Sequence, residues 1–259
     1  MIMKFTRPEK LNSYIQEQYF EVTSELRRLD EDDSCSVVLM TGSGRFFSSG
    51  TDMGVQTQQP PSGVDVEDFM RERTEKSAGA LIRAMIDFRK PLIAACNGPA
   101  VGVACTTLAL CDVVYASNTA WFHTPFMQFA FCPEGCSSLL FPRIMGQSLA
   151  NEVLLLGRKL SAAEAMQCGF VSNVFSDPFF ADEVLKRART MASFPPRGLQ
   201  VTKSLSRGEA EKAELHATCD RELKALVKQF VSDECVTAVM KFAMEQMNRK
   251  KSRKAKARL

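Results

Sequence analysis

A lone glutamate and two glycine-rich turns are the residues of this chain best placed to do chemistry. Glu134 sits in Cys-Pro-Glu-Gly, on a stretch that is otherwise apolar and uncharged. Ahead of it, the apolar run from Leu92 to Cys96 ends in Asn97-Gly98-Pro99, and a small-residue segment opens at Gly102. That order reads as strand, tight turn and helix start. Backbone N–H groups at a helix start are unpaired and face outward, so such a turn offers donors to an oxyanion. A second glycine turn beside a buried strand lies at Ser48–Asp52. Two such turns can each aim one N–H at the same oxygen. In a dry site, losing one donor of that kind commonly costs about 3–4 kcal/mol of transition-state stabilisation. One carboxylate near one set of donors is the minimum needed for enolate chemistry.

Other chemistries are poorly supplied. With only two histidines, His123 and His216, a Ser-His-Asp or Cys-His nucleophile is disfavoured, and no His/Cys cluster has zinc spacing. Cys132 and Cys136 flank Glu134 and with His123 make at best a weak metal clip. Neither the dinucleotide nor the P-loop glycine motif is present. A purely structural Glu134 would be a helix N-terminal residue favoured by the dipole ahead of Cys136–Leu140. Asp52 reads as a turn cap, Asp112 as a buried structural acid, and His123 as a core or pocket-lining residue.

The elements that must hold these residues are read from the rest of the chain. At 259 residues and 45% apolar, it can bury a full core as one large domain, or as one domain plus a helical appendage. The net charge of +3 is concentrated near the C-terminus, so the near-neutral body gives no support for nucleic-acid binding. Nine cysteines, an odd count without a Cys-x-x-Cys pair, fit reduced thiols in an intracellular, soluble protein. No run is apolar enough to span a bilayer, and Met1–Phe5 is too short for a secretory signal.

In order, Lys4–Pro8 resembles a strand tail, and Ser13–Leu29 is helical, with Asn12 or Ser13 as cap. Val37–Met40 is a buried strand, and a long helix runs from about Val66 to Phe88. Strands follow at Leu92–Cys96 and Val113–Tyr115, then a helix at Ser148–Leu156 and a capping box at Ser161–Glu164, and a strand resumes at Phe170-Val171. From Asp182 onward the pattern is helical, with Pro195-Pro196 separating two helices and Glu209–Phe230 forming a long one. Alternation followed by helices alone argues for an α/β core (residues 1–180), a C-terminal helical lobe (181–250) and a basic tail (251–259).

Read together, the segments Arg7-Pro8…Asn12, F-F-S-S-G-T-D, K-P-L-I-A-A-C-N-G-P-A-V-G and L-A-L-C-D-V-V-Y stand in an order and spacing that resembles the enoyl-CoA hydratase/isomerase (crotonase) superfamily over nearly the whole chain. The resemblance implies a crotonase-like spiral of ββα turns with a C-terminal helical trimerisation lobe, assembling as homotrimer or hexamer. It also implies that the N–H groups of Thr51 and Val103 hold the thioester carbonyl. Ser49, Gly50, Thr51, Asp52, Met53, Gly54 and Val55 then run beside the CoA moiety, and Ala130 replaces a glycine usual in its loop. The strands that normally precede Arg-Pro are nearly absent, and no acyl-CoA-binding domain of the kind found in close relatives is present.

The two glutamates of hydratases fall at Thr106 and Phe126, so hydration is disfavoured. Cys132-Pro133-Glu134-Gly135 instead is similar to the single-glutamate segment of peroxisomal-type Δ3-Δ2-enoyl-CoA isomerases. The implied reaction is isomerisation of a 3-enoyl-CoA to the trans-2-enoyl-CoA in β-oxidation, with Glu134 as the proton shuttle and no cofactor or metal beyond the CoA of the substrate. The alternatives are a non-catalytic CoA-binding module of the chromodomain-corepressor type, which departs from that glutamate, and another crotonase reaction. The terminal Ala257-Arg258-Leu259 is a variant of a peroxisomal address read by the import receptor. Lys250, Lys251, Arg253, Lys254 and Lys256 offer a nuclear signal as the competing reading, and a longer N-terminus would allow a mitochondrial one.

Overall fold

The computed structural model describes the backbone of residues 1–56 and 60–256. Strand β1 (Ile2–Phe5) leads to α1 (Gln16–Glu31), β2 (Val38–Gly42), the short α2 (Met53–Gln56) and α3 (Val66–Thr74). A π-type turn, Glu75–Gly79, joins α3 to α4 (Ala80–Asp87). Then come β3 (Leu92–Cys96), β4 (Ala100–Val101), α5 (Val103–Thr106), β5 (Val113–Ser117) and β6 (Trp121–His123). They are followed by α6 (Ser137–Met145), α7 (Gln147–Leu155), β7 (Leu160–Ser161), α8 (Ala162–Gln167) and β8 (Asn173–Phe175). Helices α9 (Asp177–Ala192), α10 (Pro196–Ser206), α11 (Glu209–Phe230) and α12 (Asp233–Lys256) complete the described chain.

The large sheet runs β1-β2-β3-β5-β8 with every pairing parallel, and a small sheet runs β4-β6-β7. A long strand in the first sheet, a short one in the second and a helix make one turn of a ββα spiral, the expected crotonase-like α/β fold. β3 explains why the large sheet is covered on both faces. Its five residues are all buried, and alternate side chains go to different cores. Leu92, Ala94 and Cys96 join Leu26 and Leu29 of α1 and Ile82 and Met85 of α4 in the main cluster, while Ile93 and Ala95 meet Phe180 and Val184 of α9.

Helix α9 therefore covers the sheet, and the boundary expected at residue 180 falls inside it. Likewise α12 extends through Lys256, into the segment read as tail. Ala257-Arg258-Leu259 lies outside the described residues.

Several local expectations are corrected. Helix α1 starts three residues after Ser13, and Asn12 caps no helix. Its side-chain amide instead donates to the carbonyls of Ser43, Phe46 and Phe47 at 2.9, 2.8 and 3.2 Å, tying the loop after β2 to the chain start. The helix expected from Val66 to Phe88 runs through Asp87, but it widens to π-helical geometry at Glu75–Gly79. The last strand is Asn173–Phe175, because Phe170 and Val171 are core residues of the turn leading into it. Asp112 lies at the surface rather than buried, but it does act structurally. Its Oδ2 accepts the Leu92 N–H (2.7 Å) and the buried Lys203 ammonium (2.7 Å), fastening α10 to the start of β3.

Candidate active site

The two glycine turns meet. Ser48 bridges Ala100, and the Val101 N–H donates to the Ser48 carbonyl at 3.0 Å. Gly50 makes the contact possible: it has φ +76°, and a Cβ there would lie 2.4 Å from the Val101 carbonyl oxygen. On the other side, the Gly50 carbonyl accepts the Tyr14 N–H and the Asp52 N–H donates to the Tyr14 carbonyl, both at 2.8 Å. Successive N–H groups of an extended segment point oppositely, so Thr51 N–H, between those two, faces away from Tyr14. Val103 is the first residue of α5 and follows Gly102, whose φ of +58° and ψ of −132° suit glycine. Neither the Thr51 nor the Val103 N–H donates a hydrogen bond among the described residues.

Both residues line a cleft of about 240 Å³ together with Glu134, Ser49, Met53 and Gly102. Its apolar wall includes Phe126, Phe129, Phe131 and Phe242, the last reaching in from α12 with its ring edge-on to Phe129 at 5.1 Å. A narrower chamber of about 40 Å³ also touches Thr51 and Glu134, and extends to Tyr19, Ala78, Leu226 and Phe230. The π-type turn after α3 supplies Ser77 and Ala78 to that chamber.

The Glu134 side chain accepts no hydrogen bond from a described residue, although its carbonyl is pinned by the Ser137 hydroxyl at 2.7 Å. Burial, and secondarily the negative charge of Glu222, push its carboxyl up to about 8. Such a group can hold a proton or release it near neutral pH, as a base that must also serve as acid requires.

The positions matched to the hydratase glutamates have no room for carboxylates. Thr106 is fully buried, its hydroxyl donates to the Val103 carbonyl at 3.2 Å, and a Cβ on Gly135 would lie 2.5 Å from its Oγ1. Phe126 is a core residue. Ala130 adopts the left-handed conformation (φ 52°) in which a glycine is usual, and packs beside Phe129.

Of the segment expected to flank CoA, Ser49, Thr51 and Met53 line the cleft, whereas Gly50, Asp52 and Gly54 do not. Asp52 caps its turn, accepting the Gly54 N–H at 2.9 Å and the Ser13 hydroxyl at 3.1 Å. The side chain of Val55 lies outside the described residues. His123 lines the cleft but is nearly buried, its Nε2 has no hydrogen-bond partner among the described residues, and burial pushes its pKa down, so it is neutral near pH 7. Among the described residues, no three His, Cys, Asp or Glu side chains are gathered to hold a metal, so the clip of His123, Cys132 and Cys136 does not assemble.

Two contributors were not assigned to the site from the sequence. The Tyr19 hydroxyl shares a 2.6 Å hydrogen bond with Thr51 Oγ1. Glu222, from α11, accepts the N–H groups of Cys136 and Ser138 at 2.7 and 2.8 Å. Its signal was faint: a carboxylate in line with Leu215, Cys219, Leu223 and Leu226, four of the buried apolar positions of its helix.

The family model described as enoyl-CoA hydratase/isomerase matches residues 1–253. Enoyl-CoA delta isomerase 2 of Homo sapiens is 43% identical over 242 residues, which are 92% of this chain and 59% of that protein. Enoyl-CoA delta isomerase 3, peroxisomal, of Mus musculus is 37% identical over 98% of this chain and 76% of that protein. The human chromodomain Y-like protein is 38% identical over 95% of this chain and 40% of its own length. This chain thus spans only part of each of these relatives. Among solved structures, the enoyl-CoA hydratase/isomerase from Pseudoalteromonas atlantica T6c superposes with a TM-score of 0.83 at 35% identity, covering 94% of both chains. A spiral of ββα turns with two meeting glycine turns at its centre, and similarity along nearly its whole length, place this chain in the enoyl-CoA hydratase/isomerase family.

Proposed function

We propose that this chain is a Δ3-Δ2-enoyl-CoA isomerase, and that Glu134 carries the proton from C2 to C4 of a 3-enoyl-CoA. The observation that carries this reading is the shared cleft: a carboxyl that accepts no hydrogen bond among the described residues, beside two backbone donors unused among them. Glu134 takes a C2 proton, whose acidity comes from the thioester. The electron pair moves into a dienolate, with its charge on the thioester oxygen between Thr51 N–H and Val103 N–H. The protonated Glu134 then delivers the same proton to C4, the double bond settles between C2 and C3, and the thioester carbonyl is restored. Nothing is oxidised or reduced, and the CoA enters and leaves as part of the substrate. Ser49 and Met53 on the same wall suit the arm of the CoA, and the phenylalanines suit the acyl chain.

The relatives named as enoyl-CoA delta isomerases support this reading and its place in the β-oxidation of unsaturated fatty acids. The chromodomain relative supports the rival, a binding module without turnover, and the glutamate at position 134 lining the cleft favours the enzyme. Purified protein incubated with a 3-enoyl-CoA should produce the conjugated 2-enoyl thioester with multiple turnovers. Tight CoA-ester binding with no product would instead establish the module. The peroxisomal relative and the terminal Ala257-Arg258-Leu259 favour import into the peroxisome. A fluorescent reporter bearing the last dozen residues should enter that organelle, and a nuclear or diffuse signal would refute the address.

A further inference from the structure

We propose that Glu222 is a positioning residue of this site: from α11 its carboxylate fills the backbone nest at the start of α6 and fixes the segment from which Glu134 projects. The inference rests on the reading of Glu134 as the base.

The nest is built by the local backbone. Gly135 (φ +69°) and Cys136 (φ +60°) are consecutive left-handed residues, and together they curl the chain. The N–H groups of Cys136 and Ser138 thereby turn to one side, at the positive end of α6. Glu222 meets them with one oxygen each, Oε2 to Cys136 N (2.7 Å) and Oε1 to Ser138 N (2.8 Å). Each oxygen accepts one N–H, and the two donors together favour the ionised carboxylate over the protonated one. Gly135 packs so closely on Thr106 that it has no room for a side chain, because a Cβ there would lie 2.5 Å from Thr106 Oγ1. Cys136, which carries a side chain, holds a conformation that costs about 1–2 kcal/mol and persists only where its surroundings impose it. The Ser137 side chain and N–H both bond back to the Glu134 carbonyl, at 2.7 and 3.2 Å, so whatever holds the nest holds Glu134.

A carboxylate at a core position needs a reason. Glu222 is 6% exposed, and no described lysine or arginine forms a salt bridge with it. Helix stability alone would favour an apolar residue there. The groups facing it are Glu134, Cys132 and Cys136 from the site loop, with Cys219 and Arg221 from its own helix, while Arg207, just after α10, acts on Cys136. Around Glu134 itself stand Tyr19 and Arg73 as well. Burial holds the Glu222 carboxyl above the usual carboxylate range, and the two N–H groups and Arg221 offset that only in part. Its charge lies behind Glu134 and disfavours a second carboxylate there.

The test compares wild type with Glu222→Gln and Glu222→Asp by two readouts. The first is a carbon NMR titration of the Glu134 carboxyl, assigned by its loss in Glu134→Gln. The second is kcat and KM for a 3-enoyl-CoA. Removing the charge in Glu222→Gln should lower the Glu134 midpoint by about one pH unit or more. The misplaced base should cut kcat by about 10- to 100-fold with KM within a few-fold. Glu222→Asp, which keeps the charge at shorter reach, should leave the midpoint near that of wild type while kcat still falls. An unmoved midpoint in Glu222→Gln, or unchanged kcat in both variants, overturns the proposal. If Glu222→Gln does not fold, unchanged kcat in Glu222→Asp overturns it alone. Should wild type itself show no isomerase activity, the proposed function fails, and the titration still decides whether Glu222 acts on Glu134.

Discussion

Replacing Glu134 by glutamine should make the protein more stable, and increasingly so as pH rises. The Glu134 carboxyl is held at about 8 in the folded protein against an ordinary value of 4.5, so the folded state binds its proton more tightly than the unfolded state. Below pH 4.5 both states are protonated and the group is neutral with respect to folding. Between 4.5 and about 8 the unfolded chain gives up its proton first, and wild-type stability falls with rising pH; above about 8 the loss is complete. At about 1.4 kcal/mol per pH unit, that interval sets a ceiling of about 5 kcal/mol, which access of the carboxyl to the cleft will reduce. Glutamine does not titrate there. Urea denaturation of both proteins from pH 4 to 9 isolates the titration of Glu134 together with its coupling to Glu222, because groups that do not interact with Glu134 cancel in the difference. The gap should be small at pH 4, widen from 5 to 8, and level off. A gap that stays constant across this range would show that the folded protein does not resist ionising Glu134.

Four further outcomes follow from the same structure. kcat/KM should rise with pH through a limb near 8, as Glu134 loses its proton, and a limb near the ordinary carboxylate value would refute the burial argument. Gly50→Ala places a methyl group 2.4 Å from the Val101 carbonyl and forces the two donor turns apart; turnover should drop by about 10²-fold, and near-wild-type turnover would contradict the role given to Thr51 N–H. Lys203→Met removes donors to Asp112 and the Lys90 carbonyl and should cost about 2 kcal/mol in urea unfolding, with no change in kcat for the folded protein. Helix α12 exposes Val236, Met240, Met244 and Met247, and sedimentation should give a trimer or hexamer; a monomer at micromolar concentration would argue against that assembly.

What was legible in the sequence was what local patterning encodes. Glu209–Phe230 was bounded correctly because Gly208 precedes it and its apolar spacing is regular, and β3 because five apolar residues stand between breakers. The two donor turns were visible because glycine at 50 and 102 marks backbone that other residues avoid. Asn12 misled because a good helix cap is equally good at binding loop carbonyls, and only the folded chain brings those of Ser43, Phe46 and Phe47 to it. The π-helical stretch at Glu75–Gly79 sits inside a continuous helix, so periodicity runs through it unmarked. Glu222 joins the site across 86 residues of chain, and no spacing rule pairs it with Cys136. The hydrogen bond of Tyr19 to Thr51 is likewise a product of tertiary packing, 32 residues apart in the chain.

The central claim is that Glu134 moves the proton while backbone N–H groups hold the thioester. The most direct test measures turnover and dissociation constant for one 3-enoyl-CoA with wild type and Glu134→Gln side by side. Glutamine keeps the volume and removes the base, so kcat should fall by at least about 10²- to 10⁴-fold. Binding should stay within a few-fold, because Thr51 N–H and Val103 N–H are untouched and only transition-state stabilisation is lost. Near-normal turnover by Glu134→Gln would make Glu134 structural and contradict the account.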